Sequence, residues 1–148
     1  MSTTEENKAA FRRTFEELLN QGNYAIVDEL LAPDYFNHEA PPGKNHGPES
    51  MRQLVMWLRT AFPNLHYTIE DVVAEGDTVA GRVIMSGTHS GPYMGISPTG
   101  RTFHMAEMHF VRFRDGKGIE HRAVRDDLGM MRQLGVIPAP ADSKGFAS

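Results

Sequence analysis

RTFHMAEMHFVRFRDGKGIEHRAVRDDLGMMRQLG, residues 101–135, reads as a long strand, a tight turn, a second strand and a short closing helix. Alternation along the first strand puts Phe103, Met105, Glu107, His109 and Val111 on one face and His104, Ala106, Met108, Phe110 and Arg112 on the other. Both faces are mostly apolar, so both are expected to be at least partly covered. Asp115-Gly116-Lys117-Gly118 supplies the turn. On the returning strand Glu120, Arg122, Val124 and Asp126 alternate with His121, Ala123, Arg125 and Asp127. The pattern alone leaves open which set faces inward. One of Asp126 and Asp127 is also the natural N-cap of the closing helix.

Upstream, residues 65–76 and 78–91 read as two further strands joined at Gly76-Asp77. The segment 91–101 is a loop punctuated by Gly91, Pro92, Gly95, Pro98 and Gly100. Before Leu65 the spacing is helical. Phe11, Phe15, Leu18 and Leu19 line one face of a helix over residues 5–20, and Ile26, Val27, Leu30 and Leu31 a shorter one over 24–31. Met51, Leu54, Val55, Leu58 and Phe62 form the stripe of the longest helix, over 48–61, with Trp57 to one side. Pro33 and Pro63 stop the second and third helices. Between them Tyr35–His38 is a short extended piece, in which Phe36 and His38 share one face and Tyr35 and Asn37 the other. Residues 39–50, EAPPGKNHGPES, form a loop: a surface connection, with a lid as the alternative.

Helices first, then hairpin-linked strands, is the pattern of an α+β domain. Twist bends the long antiparallel strands into a cone-shaped sheet covered by the N-terminal helices, a half-open barrel with an internal pocket. The expectation is one domain over residues 1–138 and a C-terminal tail over 139–148.

Composition narrows the function. The chain has 148 residues, no cysteine and a net charge of −4. The lack of cysteine excludes disulfides and thiolate metal sites and suits the cytoplasm. A mildly acidic chain without a basic stripe argues against nucleic acid as a partner. No apolar run is long enough to span a membrane, and the polar start MSTTEENK does not read as a signal peptide.

His104, Glu107, His109, His121 and Asp126 are the ionisable candidates of the hairpin. Glu107 and His109 lie on one strand face about 7 Å apart along the chain, within reach of acid–base chemistry. A buried structural pair is the competing reading. The histidines invite a two-His-one-carboxylate metal reading, but neither an HExxH motif nor any forcing spacing is present. The 91–101 loop lacks the strand–GxGxxG–helix context of a dinucleotide site, and there is no GxSxG for a serine nucleophile.

GTHSGPYMGISPTGRTF and MHFVRFRDGKGIEHRAVRDDLGMMRQLG, with LAPDYFNHEA, WLRTAFPNL and IEDVVAEGDTVAGR upstream, resemble the SnoaL-like polyketide cyclase (ester cyclase) family. That family has the nuclear transport factor two-like cone fold. The resemblance implies a cofactor-free enzyme with a buried pocket that closes a polyketide ring by an intramolecular aldol step, and the residue spacing gives no metal site. One positioned base removes a proton beside a carbonyl, and the enolate attacks a second carbonyl. The family's strand histidine matches His109, while its principal aspartate, on the following strand, falls on Ala123. Asp126 matches a second acid in the D-x-x-G segment.

The expected catalytic set is therefore His109 with Asp126 or Glu107. Asn37, His38, Trp57, His89, Tyr93 and His121 are the expected substrate-binding residues of the pocket wall. A homodimer or tetramer acting on a small apolar or aromatic molecule is expected. A non-catalytic ligand-binding module and a hydroxylase-type relative are the alternatives, the first supported by Ala123.

Overall fold

Asp115 and Gly116 both adopt positive φ, 51° and 81°, the conformation of a two-residue type I′ hairpin turn. Lys117 and Gly118 already belong to the returning strand. The computed structural model describes residues 2–138; the expected tail lies outside the described residues. In chain order the elements are α1 (Thr4–Arg13), a π-helical continuation (Thr14–Leu19), a 3-10 turn (Tyr24–Ile26), α2 (Val27–Leu30), β1 (Leu31–Asn37), α3 (Gly47–Ala61), β2 (His66–Glu75), β3 (Thr78–Thr88), β4 (Thr102–Arg114), β5 (Lys117–Arg125) and α4 (Asp127–Gln133). No helix among the described residues is long and apolar enough to cross a membrane.

The sheet order is β1-β5-β4-β3-β2. The four long strands pair antiparallel, as expected. The short extended piece becomes a fifth strand, β1, parallel to β5, with Asn37 paired to His121. The helices cover one face. Phe11, Phe15, Leu18, Val27, Leu30, Val55 and Leu58 bury against Val79, Val83, Met85, Phe103 and Met105.

The other face is open in the single chain. Met108 and Phe110 are each 56% exposed and Val124 is 70% exposed, which corrects the expectation that both faces of β4 would be covered. His104 also lies exposed on this outer face, while Phe103, Met105, Glu107 and His109 are buried on the inner one.

Two local departures from regular structure shape the inner face. In the β4–β5 ladder Phe113 pairs with Gly118 and Arg112 with Glu120, so Ile119 is an extra residue in a bulge. The bulge resets the alternation and turns His121, Ala123 and Arg125 inward. On the helical side the expected single helix over residues 5–20 widens at Thr14, where Asn20 N–H donates to the Phe15 carbonyl in an i→i+5 bond. Asn20 then clamps the segment to β2, donating to the Tyr67 carbonyl at 2.9 Å and accepting from Tyr67 N–H at 2.7 Å. Arg59 on α3 donates to the carbonyls of Leu19 and Asn20, both at 2.9 Å.

Close approach of α1 to the sheet depends on Gly81, the partner of His109 in the β3–β4 ladder. A Cβ there would run into the ring of Phe11, a side chain only 1% exposed and without room to move. Gly81→Ala should therefore cost about 1–3 kcal/mol through overpacking. A melting temperature lower by at least about 2 °C would register it.

Candidate active site

Behind the π-helical segment lies a cavity of about 60 Å³, lined by side chains that include Phe11, Thr14, Phe15, Tyr35, Tyr67, His109 and His121. The wall is apolar except for the two imidazoles and a few hydroxyls. Phe15 meets His109 edge-on, with ring centroids 5.0 Å apart.

Glu107 and His109 come together as their shared strand face requires. Oε1 of Glu107 lies 2.6 Å from Nε2 of His109, and the two residues are 2% and 6% exposed. A contact this short between a carboxyl and an imidazole nitrogen holds one proton between them. The other nitrogen of His109, Nδ1, lies 2.8 Å from Nε2 of His121, and Nδ1 of His121 lies 2.7 Å from Oδ1 of Asn37. Four side chains from β4, β5 and β1 thus form one hydrogen-bonded row. Arg125 stands opposite Glu107 in the ladder. Its positive charge acts on Glu107, Tyr67, Tyr93 and Asp127.

Burial pushes His121 down from an ordinary 6.5 to about 3, with His109, Arg125 and His38 acting in the same direction. His121 is therefore neutral at pH 7. The unfolded chain takes up this proton near 6.5 while the folded chain resists it down to about 3. Stability should thus fall as pH falls through that window, with a slope of up to about 1.4 kcal/mol per pH unit from this group. Urea unfolding at several pH values, with His121→Gln losing that part of the slope, checks it.

Burial also holds the Tyr67 hydroxyl well above its usual value, with the charge of Glu107 adding to the effect. That hydroxyl donates to Sδ of Met85 at 3.3 Å, a weak acceptor.

Asp126 is not at the cavity. Its carboxylate accepts from Gly129 N–H at 2.9 Å as the N-cap of α4, and the residue is exposed. This corrects its expected role beside His109: at a strand-to-helix junction an Asp satisfies a free helix N–H. The glycine of D-x-x-G makes room for the cap, since a Cβ on Gly129 would collide with the Asp126 carboxylate.

Of the expected pocket-wall residues, only His121 lines the cavity, and Asn37 stands one hydrogen bond behind it. His38 is exposed, 3.7 Å from Oε2 of Glu120. Trp57 is 42% exposed and stacks on Tyr93 at 5.0 Å on the far side of Phe62. His89 is fully buried, but its Nδ1 accepts from Thr99 N–H at 3.2 Å and braces the β3–β4 loop. These four are corrected to positions off the cavity. Tyr67, Phe15 and Arg125 were not singled out beforehand; parity on β2, the helical stripe and parity on β5 are the signals that point to them. Among the described residues no group of three or more His, Asp or Glu is placed to hold a metal ion.

The sequence profile of the SnoaL-like polyketide cyclases matches residues 9–134. The chain belongs to that family. It is 37% identical over 126 residues to a nogalonic acid methyl ester cyclase of Streptomyces nogalater, covering 83% of this chain and 92% of that one. It is 35% identical over 137 residues to an aklanonic acid methyl ester cyclase of Streptomyces galilaeus, covering 88% and 91%. Among solved structures, TsrD from Streptomyces laurentii superposes with a TM-score of 0.85 at 28% identity, over 93% of this chain and all of that one. The curved five-stranded sheet under helices is the family's cone fold.

Proposed function

We propose that this SnoaL-like family member closes a ring in a polyketide substrate by an intramolecular aldol step, without a cofactor, using Glu107 and His109 as its proton-transfer pair. The observation that carries the reading is the buried 2.6 Å contact between them, with the His109 ring on the cavity wall. The reaction is an isomerisation. One C–H bond beside a carbonyl breaks, its proton passes to the pair, the enolate carbon attacks a second carbonyl, and the pair returns a proton to the new alkoxide. Tyr67, kept protonated by burial and donating to the weak acceptor Sδ of Met85, offers a donor to the developing oxyanion.

The two named relatives are cyclases of nogalonic acid methyl ester and aklanonic acid methyl ester, and the apolar lining fits a substrate of that class. The present cavity has room for a few waters, so a ring system must displace part of the lining to enter. The apolar outer face at Met108, Phe110 and Val124 supports a homo-oligomer, and the cysteine-free composition a cytoplasmic location. Incubation of the purified protein, without added cofactor, with nogalonic and aklanonic acid methyl esters tests the activity. Conversion to a product of unchanged mass is expected; absence of conversion of either ester counts against this substrate class.

A further inference from the structure

We infer that Asn37 and His121 are positioning residues: together they commit the Nδ1 proton of His109 inward, so that the proton His109 exchanges lies at Nε2, against Glu107. The inference rests on the proposed role of the Glu107–His109 pair.

Glu39 N–H donates to Oδ1 of Asn37 at 3.0 Å, which establishes that the amide oxygen, not the nitrogen, points this way. That oxygen can only accept. His121 Nδ1, 2.7 Å from it, must therefore carry a hydrogen. A neutral imidazole has one N–H, so Nε2 of His121 presents a lone pair. It faces Nδ1 of His109 at 2.8 Å, so His109 donates there. Only Nε2 of His109 remains, and its single proton is shared with Glu107. The row holds three hydrogen bonds and one proton for each.

The charged form of His121 would reverse the direction between the two imidazoles and leave His109 donating to Glu107 as a neutral ring. Burial of His121 opposes that form. So do His109, Arg125 on β5 and His38 just past β1. Tyr67 on β2 and Tyr35 on β1 line the cavity with the two imidazoles, and Tyr93 on the β3–β4 loop and Asp127 on α4 act on Arg125. The π-helical segment adds Thr14, Phe15 and Leu19, none of them charged.

The backbone holds the far end of the row in place. Asn37 pairs with His121 in the parallel β1–β5 ladder, its N–H donates to the Asn45 carbonyl at 2.9 Å, and His38 N–H donates to the His121 carbonyl at 3.0 Å. This gives the fifth strand a function. It fixes a tautomer two side chains away from the chemistry.

Long-range ¹H–¹⁵N spectra of the ¹⁵N-labelled protein test the inference without substrate. His121 should carry its proton on Nδ1 and stay neutral from pH 5 to 9, on the order of the window read from its burial. Asn37→Asp keeps both accepting interactions and adds a negative charge, so His121 should take up a second proton at higher pH than in the wild type. The acid limb of the ring-closure pH profile should move up with it. Asn37→Ala should lower kcat by about 10–100-fold, the size expected when a ligand-orienting partner is lost, with KM little changed. A His121 protonated on Nε2, a His121 titrating near 6.5 in the wild type, or an unmoved His121 in Asn37→Asp would each overturn the proposal. If the row shows the expected protons but the wild type closes no ring, the cyclase reading fails and the proton order stands.

Discussion

His109→Ala should slow ring closure by about 10³-fold, the middle of the range for losing a positioned acid–base group. The imidazole is the one ionisable side chain that both lines the cavity and shares a proton with a carboxyl. Its removal leaves Glu107 buried without its partner, so part of the loss is electrostatic as well as geometric. The substrate binds chiefly through the apolar wall, so KM should change by less than about tenfold while kcat falls. The fold should survive, because the ring is packed mainly against Phe15 and His121 rather than at the centre of the core. Steady-state kinetics with circular dichroism on the same samples separates lost chemistry from lost structure.

Glu107→Gln should cost about 10²-fold in kcat. The amide keeps the shape of the carboxyl and can still hydrogen-bond to His109 Nε2 by donating through its NH2 group, but it cannot take the proton. The substitution also removes the negative charge that faces Arg125 in the ladder. A merely structural Glu107 would tolerate this change, since volume and hydrogen bonding are retained. The size of the drop, read with the melting temperature held within a few degrees, decides between the two roles.

The cone fold was legible in the sequence because its strands alternate cleanly and its helices carry continuous stripes. Glu107 and His109 were legible for the same reason: residues two apart on a strand share a face. The inward face of β5 was not. Alternation leaves two choices, and the bulge at Ile119 selects between them through a backbone irregularity that no side-chain pattern marks. The parallel pairing of β1 was also hidden, because it joins residues 84 positions apart and depends on how the chain returns past α2. Hence Asn37 and His121 looked like separate wall residues rather than one row. Asp126 looked like an acid because its composition fits either a cap or a catalyst, and only the geometry of α4 distinguishes them. Trp57, His89 and Tyr93 attracted attention by residue type; their packing around Phe62 is a matter of tertiary placement.

Ala123, where the resemblance leads one to expect the family's principal aspartate, stands directly opposite His109 in the β4–β5 ladder. A carboxyl two rungs away on β4, that of Glu107, reaches His109 instead. The central claim is that Glu107 does the work expected of that aspartate. The most direct test is the rate of ring closure in the set formed by the wild type, Glu107→Gln, Ala123→Asp and the double variant. The account predicts that Ala123→Asp raises the rate at least about tenfold in the Glu107→Gln background, by returning a proton acceptor to His109, and gives no such gain in the wild type. Equal effects of Ala123→Asp in both backgrounds, with Glu107→Gln as fast as the wild type, would contradict it.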